Sequence, residues 1–184
     1  MSIFDKLNGN AATNTNSNAG TKTFTFSRLP ESLAEMQSLP EAVLNDPFQT
    51  AALTVCALCV YAADKNIGAE MLNWLRGPRP LSNHDISFLN DRFRDGETYV
   101  PFSYFKGAKP DTDYTPDEPY TLRIFTNPYS DANPGYMKLF IRSGGADNPR
   151  EIVLRQRGSD GKWFLWDQFL LPDVREPKSA DPWA

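Results

Sequence analysis

The sequence predicts an α+β domain in which N-terminal helices pack on a C-terminal curved antiparallel β-meander, with one N-terminal strand added to the sheet. Three observations carry this prediction. The last third of the chain holds strand-like segments joined by Gly-containing turns, the middle holds stretches bounded by helix start and stop signals, and neither an internal repeat nor a second compositional block separates them. Residues 1–21 are expected to form a flexible tail, residues 22–177 the single domain and residues 178–184 an extended C-terminal tail.

The segment NGNAATNTNSNAG, residues 8–20, is polar and nearly free of large apolar groups, so burial cannot offset the entropy of ordering it; it reads as a linker. It separates Met1–Leu7 from the domain, where Ile3, Phe4 and Leu7 form either a frayed end or a short docking peptide. At KTFTF, Phe24 and Phe26 alternate with polar residues as in a half-buried strand. Pro30 and Pro40 bracket a short helix that turns Leu33, Met36 and Leu39 inward.

Asp46 before Pro47 is a strong helix start, because the carboxylate caps free N–H groups and proline takes a position that needs no donor. The helix from Pro47 to Ala63 is apolar on nearly every side and is expected at the centre. A second helix over residues 67–76 buries Ile67, Met71, Leu72 and Leu75 and stops at Gly77–Pro78. Ser82, with Asp85 three residues on, opens a third helix with Ile86, Leu89 and Phe93 as its inner stripe.

Residues 99–119 form a long loop rich in Pro, Asp and aromatics, expected to be functional, packed as a lid or mobile. The meander follows in YTLRIFT, YMKLFIR, EIVLRQR and KWFLWDQFLL. The segments SGGADNP and GSDG supply turns, where glycine tolerates positive φ.

Composition narrows the function. A chain of 184 residues with 40% hydrophobic and 12% aromatic content can build a real core. Its net charge of −4 gives no global attraction for nucleic acid or an anionic membrane, so any such partner must be argued from position. The N-terminus lacks signal-peptide character, and no run approaches the roughly 20 apolar residues that cross a bilayer; the expected compartment is the cytoplasm.

Candidates for chemistry are sparse. Cys56 and Cys59 form a CxxC pair inside an apolar helix, which reads as packing thiols rather than a redox or zinc site. His84, the single histidine, falls at a capped helix start and reads as a surface residue. Asp111, Asp113, Asp117 and Glu118 lack the spacing of a calcium loop and read as solvated acids. RSGGADNPR holds two glycines between arginines but opens no helix, so it reads as a hairpin connection rather than a phosphate cradle. No metal, cofactor or catalytic residue is expected.

Strand parity carries a sharper expectation, since residues two apart share a sheet face. Arg123 and Phe125, then Tyr136, Lys138, Phe140 and Arg142, then Arg155 and Arg157, would put basic groups among aromatics on one outer face. Leu122, Ile124, Met137, Leu139, Ile141, Ile152 and Leu154 would pack inward. Trp163 and Trp166 fall on opposite faces, one in the core and one covering the outside.

The segments DPFQTAAL, LNWLRGPRPLS, YVPFSYF, KLFIRSGGADNPR and KWFLWDQFLLPDVREP together resemble an uncharacterised bacterial family classed as a domain of unknown function, over residues 22–177. The resemblance implies a bacterial, Gram-positive, single-domain protein and carries no activity or site residues. The order of elements alone is similar to the cone-shaped nuclear-transport-factor-like and SnoaL-like folds.

The sequence identifies no reaction. The leading expectation is a non-enzymatic binding or adaptor domain that uses Arg123, Tyr136, Lys138, Phe140, Arg142, Arg155 and Arg157 with the 99–119 loop to meet a protein partner. The alternative is a small-molecule carrier or enzyme with a pocket using His84, Asp85 or Asp167; single-stranded nucleic acid on the basic face ranks below both. No membrane contact is expected, and the oligomeric state is left open.

Overall fold

The computed structural model describes residues 20–184. The Met1–Leu7 segment and all but the last residue of the expected linker lie outside the described residues. Strand β1 (Thr21–Phe26) leads into helices α1 (Leu33–Ser38), α2 (Pro47–Ala63), α3 (Lys65–Arg76) and α4 (Asn83–Arg92). Strands β2 (Tyr120–Phe125), β3 (Tyr136–Ile141), β4 (Arg150–Gln156) and β5 (Trp163–Gln168) follow. The five strands form one antiparallel sheet in the order β1-β2-β3-β4-β5.

The expected α+β layout is the observed one, with α2 as the hinge of the packing. Asp46 caps α2 by accepting the Phe48 N–H at 3.0 Å, and Ala51 through Cys59 are all buried. A helix apolar all round has to be enclosed on every side. Helix α2 accordingly touches α3, the segment after α4 and all four C-terminal strands. Thr50 ties it to the sheet edge by donating to the Trp163 carbonyl at 2.7 Å. Gly68 permits the close approach of α3, since a Cβ there would lie 2.2 Å from the Tyr61 Cα.

The inner sheet face is the expected one: Leu122, Ile124, Met137, Leu139, Ile141, Ile152 and Leu154 are all buried. Ser82 and Asp85 form the capping box of α4, but Ile86, expected on its inner stripe, is exposed. Phe88 packs against the core instead. The expected irregular loop holds two 3-10 segments, the end of one that runs from Arg94 to Tyr104 with an interruption at Asp95–Glu97, and a second at Pro110–Thr112. It is packed, with Val100, Pro101, Ser103, Tyr104, Phe105, Ala108 and Tyr114 all buried.

The C-terminal segment is not simply extended, because Lys178–Ala180 forms a 3-10 turn anchored to that loop. The Ser179 N–H donates to the Asp113 carboxylate at 3.0 Å, and Lys178 lies 3.9 Å from Asp111. Two of the acids expected to be merely solvated are thus anchors. Tyr114 donates its hydroxyl to the Arg175 carbonyl, and Tyr99 stacks on Tyr114 at 4.8 Å. Burial pushes the Tyr114 phenol up to about 12.

Candidate functional site at the divergence of two strands

The outer face begins as a row of threonines. Thr21, Thr23 and Thr25 of β1 are exposed, and β1 pairs with β2 along its whole length, from Thr21 with Phe125 to Phe26 with Tyr120. Strand β3 does not follow. It pairs with β2 only at Ile124–Ile141 and Phe125–Phe140, and the two strands then part.

The chain after Ser103 enters that divergence. The Lys106 N–H donates to the Thr121 carbonyl at 2.7 Å, and the Asp117 N–H donates to the Lys106 carbonyl at 2.9 Å. On the other side, the Gly144 N–H donates to the Ser103 carbonyl at 2.8 Å, and the Ser143 and Ser103 hydroxyls bond at 2.7 Å. Backbone groups that the parting strands would leave unpaired are satisfied by this wedge, as burial requires.

Gly144 explains why the RSGGADNPR turn carries paired glycines. A Cβ on Gly144 would sit 1.9 Å from the Ala108 carbonyl oxygen, and one on Gly145 would sit 2.0 Å from the Tyr114 hydroxyl. Close approach to the wedge is the requirement at both positions. Neither has the positive φ expected of turn glycines, whereas Gly161, in the following turn, does at 72°.

The wedge, β1, β2 and the end of β3 enclose an open pocket of about 810 Å³. Four cations line it, Lys106, Lys109, Arg123 and Arg142, and no Asp or Glu does. All four are exposed, and none forms an ion pair among the described residues. The Arg142 guanidinium lies 5.8 Å from the centre of the Phe125 ring, which itself packs on Phe140 at 6.1 Å. Threonine hydroxyls and apolar surface from Leu122, Phe105 and Phe125 complete the lining.

The expected basic face is therefore divided. Arg123, Phe125, Phe140 and Arg142 gather at the divergence, while Tyr136, Arg155 and Arg157 gather at the other end of β3. Six residues of strand, about 20 Å, separate the level of Tyr136 from that of Arg142. Lys138, between them, lies 3.6 Å from Glu151. At the far end Trp166 covers the outer face and Trp163 is buried. A shift in the β4–β5 register at Val153/Leu154 places Trp166 beside Tyr136, with which it packs edge-on at 5.5 Å.

Sequence reasoning missed Lys106 and Lys109, which lie outside any periodic element, and Arg79, in the turn after α3. Other candidates fall elsewhere. Cys56 and Cys59 are buried free thiols of α2, and burial pushes both thiols far up. Among the described residues, no group of three or more His, Cys, Asp or Glu side chains is placed to hold a metal ion. No helix among them is long and apolar enough to cross a membrane.

Against known proteins, residues 28–178 match a family described as a domain of unknown function, DUF6935. The chain belongs to this family. The matched region takes in all four helices and strands β2 to β5, and so both walls of the pocket apart from β1. No curated protein and no solved structure gives a match.

Proposed function

We propose that this DUF6935 domain is a non-enzymatic binding module that holds an acidic segment of a protein partner in the pocket where β2 and β3 part. The observation that supports this reading is a lining of four cations without a carboxylate or an ion pair among them. Like charges gathered on one surface repel, and an anionic partner relieves that repulsion. The cations come from three separate stretches of chain, around residues 106–109, 123 and 142, which suits several separated carboxylates better than one compact anion. Bacterial origin and a cytoplasmic location belong to the same reading.

The test is titration of the purified chain with a Glu-rich peptide, with a neutral Gln-rich peptide and a single-stranded oligonucleotide alongside. Binding of the acidic peptide should weaken as salt rises. It should fall by roughly tenfold or more in the double variant Arg123→Glu/Arg142→Glu, with the circular dichroism unchanged. Equal affinity of parent and variant would refute the proposal, and tighter binding of the oligonucleotide would move it to nucleic acid.

A second reading has its own observation. His84, Asp85 and Asp167 line one pocket of about 360 Å³ together with Arg76 and Trp166. That convergence is what an enzymatic pocket of the alternative kind would need. However, the Asp85 carboxylate accepts from the Ser82 N–H at 2.8 Å and the Ser82 hydroxyl at 2.7 Å. Burial opposes its ionisation, but Ser82, Arg76 and Arg79 outweigh it and hold its pKa below the ordinary value. An acid so held is a cap rather than a proton donor at neutral pH, and the binding module remains the conclusion.

A further inference from the structure

At the far end of the outer face, arginines lie on rings in succession. The Arg79 guanidinium lies 4.3 Å from the centre of the Trp166 ring, Arg155 lies 4.5 Å from Tyr136 and 5.4 Å from Trp166, and Arg157 lies 4.6 Å from Phe164. A cavity of about 280 Å³ lies among them, lined by Arg76, Arg79, Arg155 and Arg157 and by no carboxylate. Gly77 makes this approach possible. Its φ of 59° turns the chain after α3, and a Cβ there would fall 2.4 Å from the Phe164 ring.

Only part of this positive charge is compensated. Arg157 pairs with Asp160, and Arg76 is bonded to the Arg79 carbonyl and lies 3.4 Å from Asp85. The Arg155 guanidinium has neither a hydrogen bond nor an ion pair among the described residues, and the Arg79 guanidinium has one long contact, 3.5 Å to the Trp166 carbonyl. Stacking on a ring fixes a guanidinium's plane and leaves its N–H edge available, so less freedom is lost when that edge binds.

We infer that Arg79 and Arg155 form a second anion site, separate from the pocket at the divergence, and that it accepts a phosphoryl group. One carboxylate is satisfied by a single bidentate arginine, whereas a phosphoryl dianion has enough oxygens for several guanidiniums at once. Arg79 and Arg155 already lie against the Trp166 ring on which a base would stack. The phosphoryl group can come from free phosphate or from a phosphorylated side chain.

The test follows the indole N–H signal of Trp166 and the arginine Nε–H signals by NMR during titration with inorganic phosphate, and separately with phosphotyrosine, each against chloride at equal ionic strength. Saturable shifts at Trp166 and Arg155 are expected with phosphate. Arg79→Gln and Arg155→Gln should each weaken binding roughly tenfold. Arg155→Lys, which keeps charge but not the planar fork, should recover only part of that loss. Tighter binding of phosphotyrosine would assign the site to phosphorylated side chains, and equal or weaker binding to free phosphate.

Shifts no larger than chloride produces would overturn the inference, as would unchanged affinity in both Gln variants. The Arg123→Glu/Arg142→Glu variant separates the two sites. Phosphate shifts at Trp166 that persist in it support a second site, and their loss there would return the anion to the first pocket.

Discussion

Arg142 and Arg157 are two arginines of the same outer face with different fates. Arg142 makes no ion pair among the described residues and rests near Phe125, so its charge remains available to a ligand. Arg157 is committed, with its Nε 3.0 Å from the Asp160 carboxylate. The hydrogen bond from Arg157 leads the causes that lower the Asp160 carboxyl from its ordinary 3.8 to about 2. A depressed carboxyl stabilises the fold above its unfolded value, and the contribution disappears as pH falls through the folded value. The contribution of this turn should therefore be complete above about pH 4 and fade toward pH 2. A carbon-detected NMR titration should place the Asp160 midpoint near 2 and return it toward 3.8 in Arg157→Gln. A midpoint that stays near 2 in the variant would assign the shift to the Lys162 N–H instead.

At the scale of elements, the packing of α3 on α2 depends on one missing side chain. Alanine favours a helix over glycine by about 1 kcal/mol, so Gly68→Ala would stabilise an isolated α3. In the folded chain the added Cβ meets the Tyr61 backbone, which cannot rotate away. The net effect should be a loss of about 1–3 kcal/mol in urea unfolding, and a stabilised variant would contradict the close approach. The wedge follows the same logic through Gly144. Both helix starts were legible from sequence, because Asp46 and Ser82 cap through bonds that span two or three residues. The pairing of Lys106 with Thr121 was not legible, since it joins residues with no shared local pattern.

Across the whole molecule, a net charge of −4 coexists with one face that carries two carboxylate-free basic pockets. Concentrating like charge costs stability. Arg123→Gln/Arg142→Gln should therefore melt at the same temperature as the parent or roughly 1–3 °C above it, as differential scanning calorimetry would measure. A clear fall in melting temperature would mean that these arginines hold the fold rather than a ligand.

Strand alternation was sufficient to place Arg123, Tyr136, Lys138, Phe140, Arg142, Arg155 and Arg157 outside and the aliphatics inside, because a pleated strand has a period of two whatever surrounds it. Helix ends, the central position of α2 and the order of elements were determined just as locally. Tertiary structure alone decided where β2 and β3 part, that Lys106 and Lys109 join Arg123 and Arg142 around a pocket, and that Arg79 crosses over Trp166. The physical reason is that these arrangements rest on backbone bonds and glycine contacts between residues far apart in the chain. Periodicity assigns a residue to a face and leaves open which distant segment will cover it.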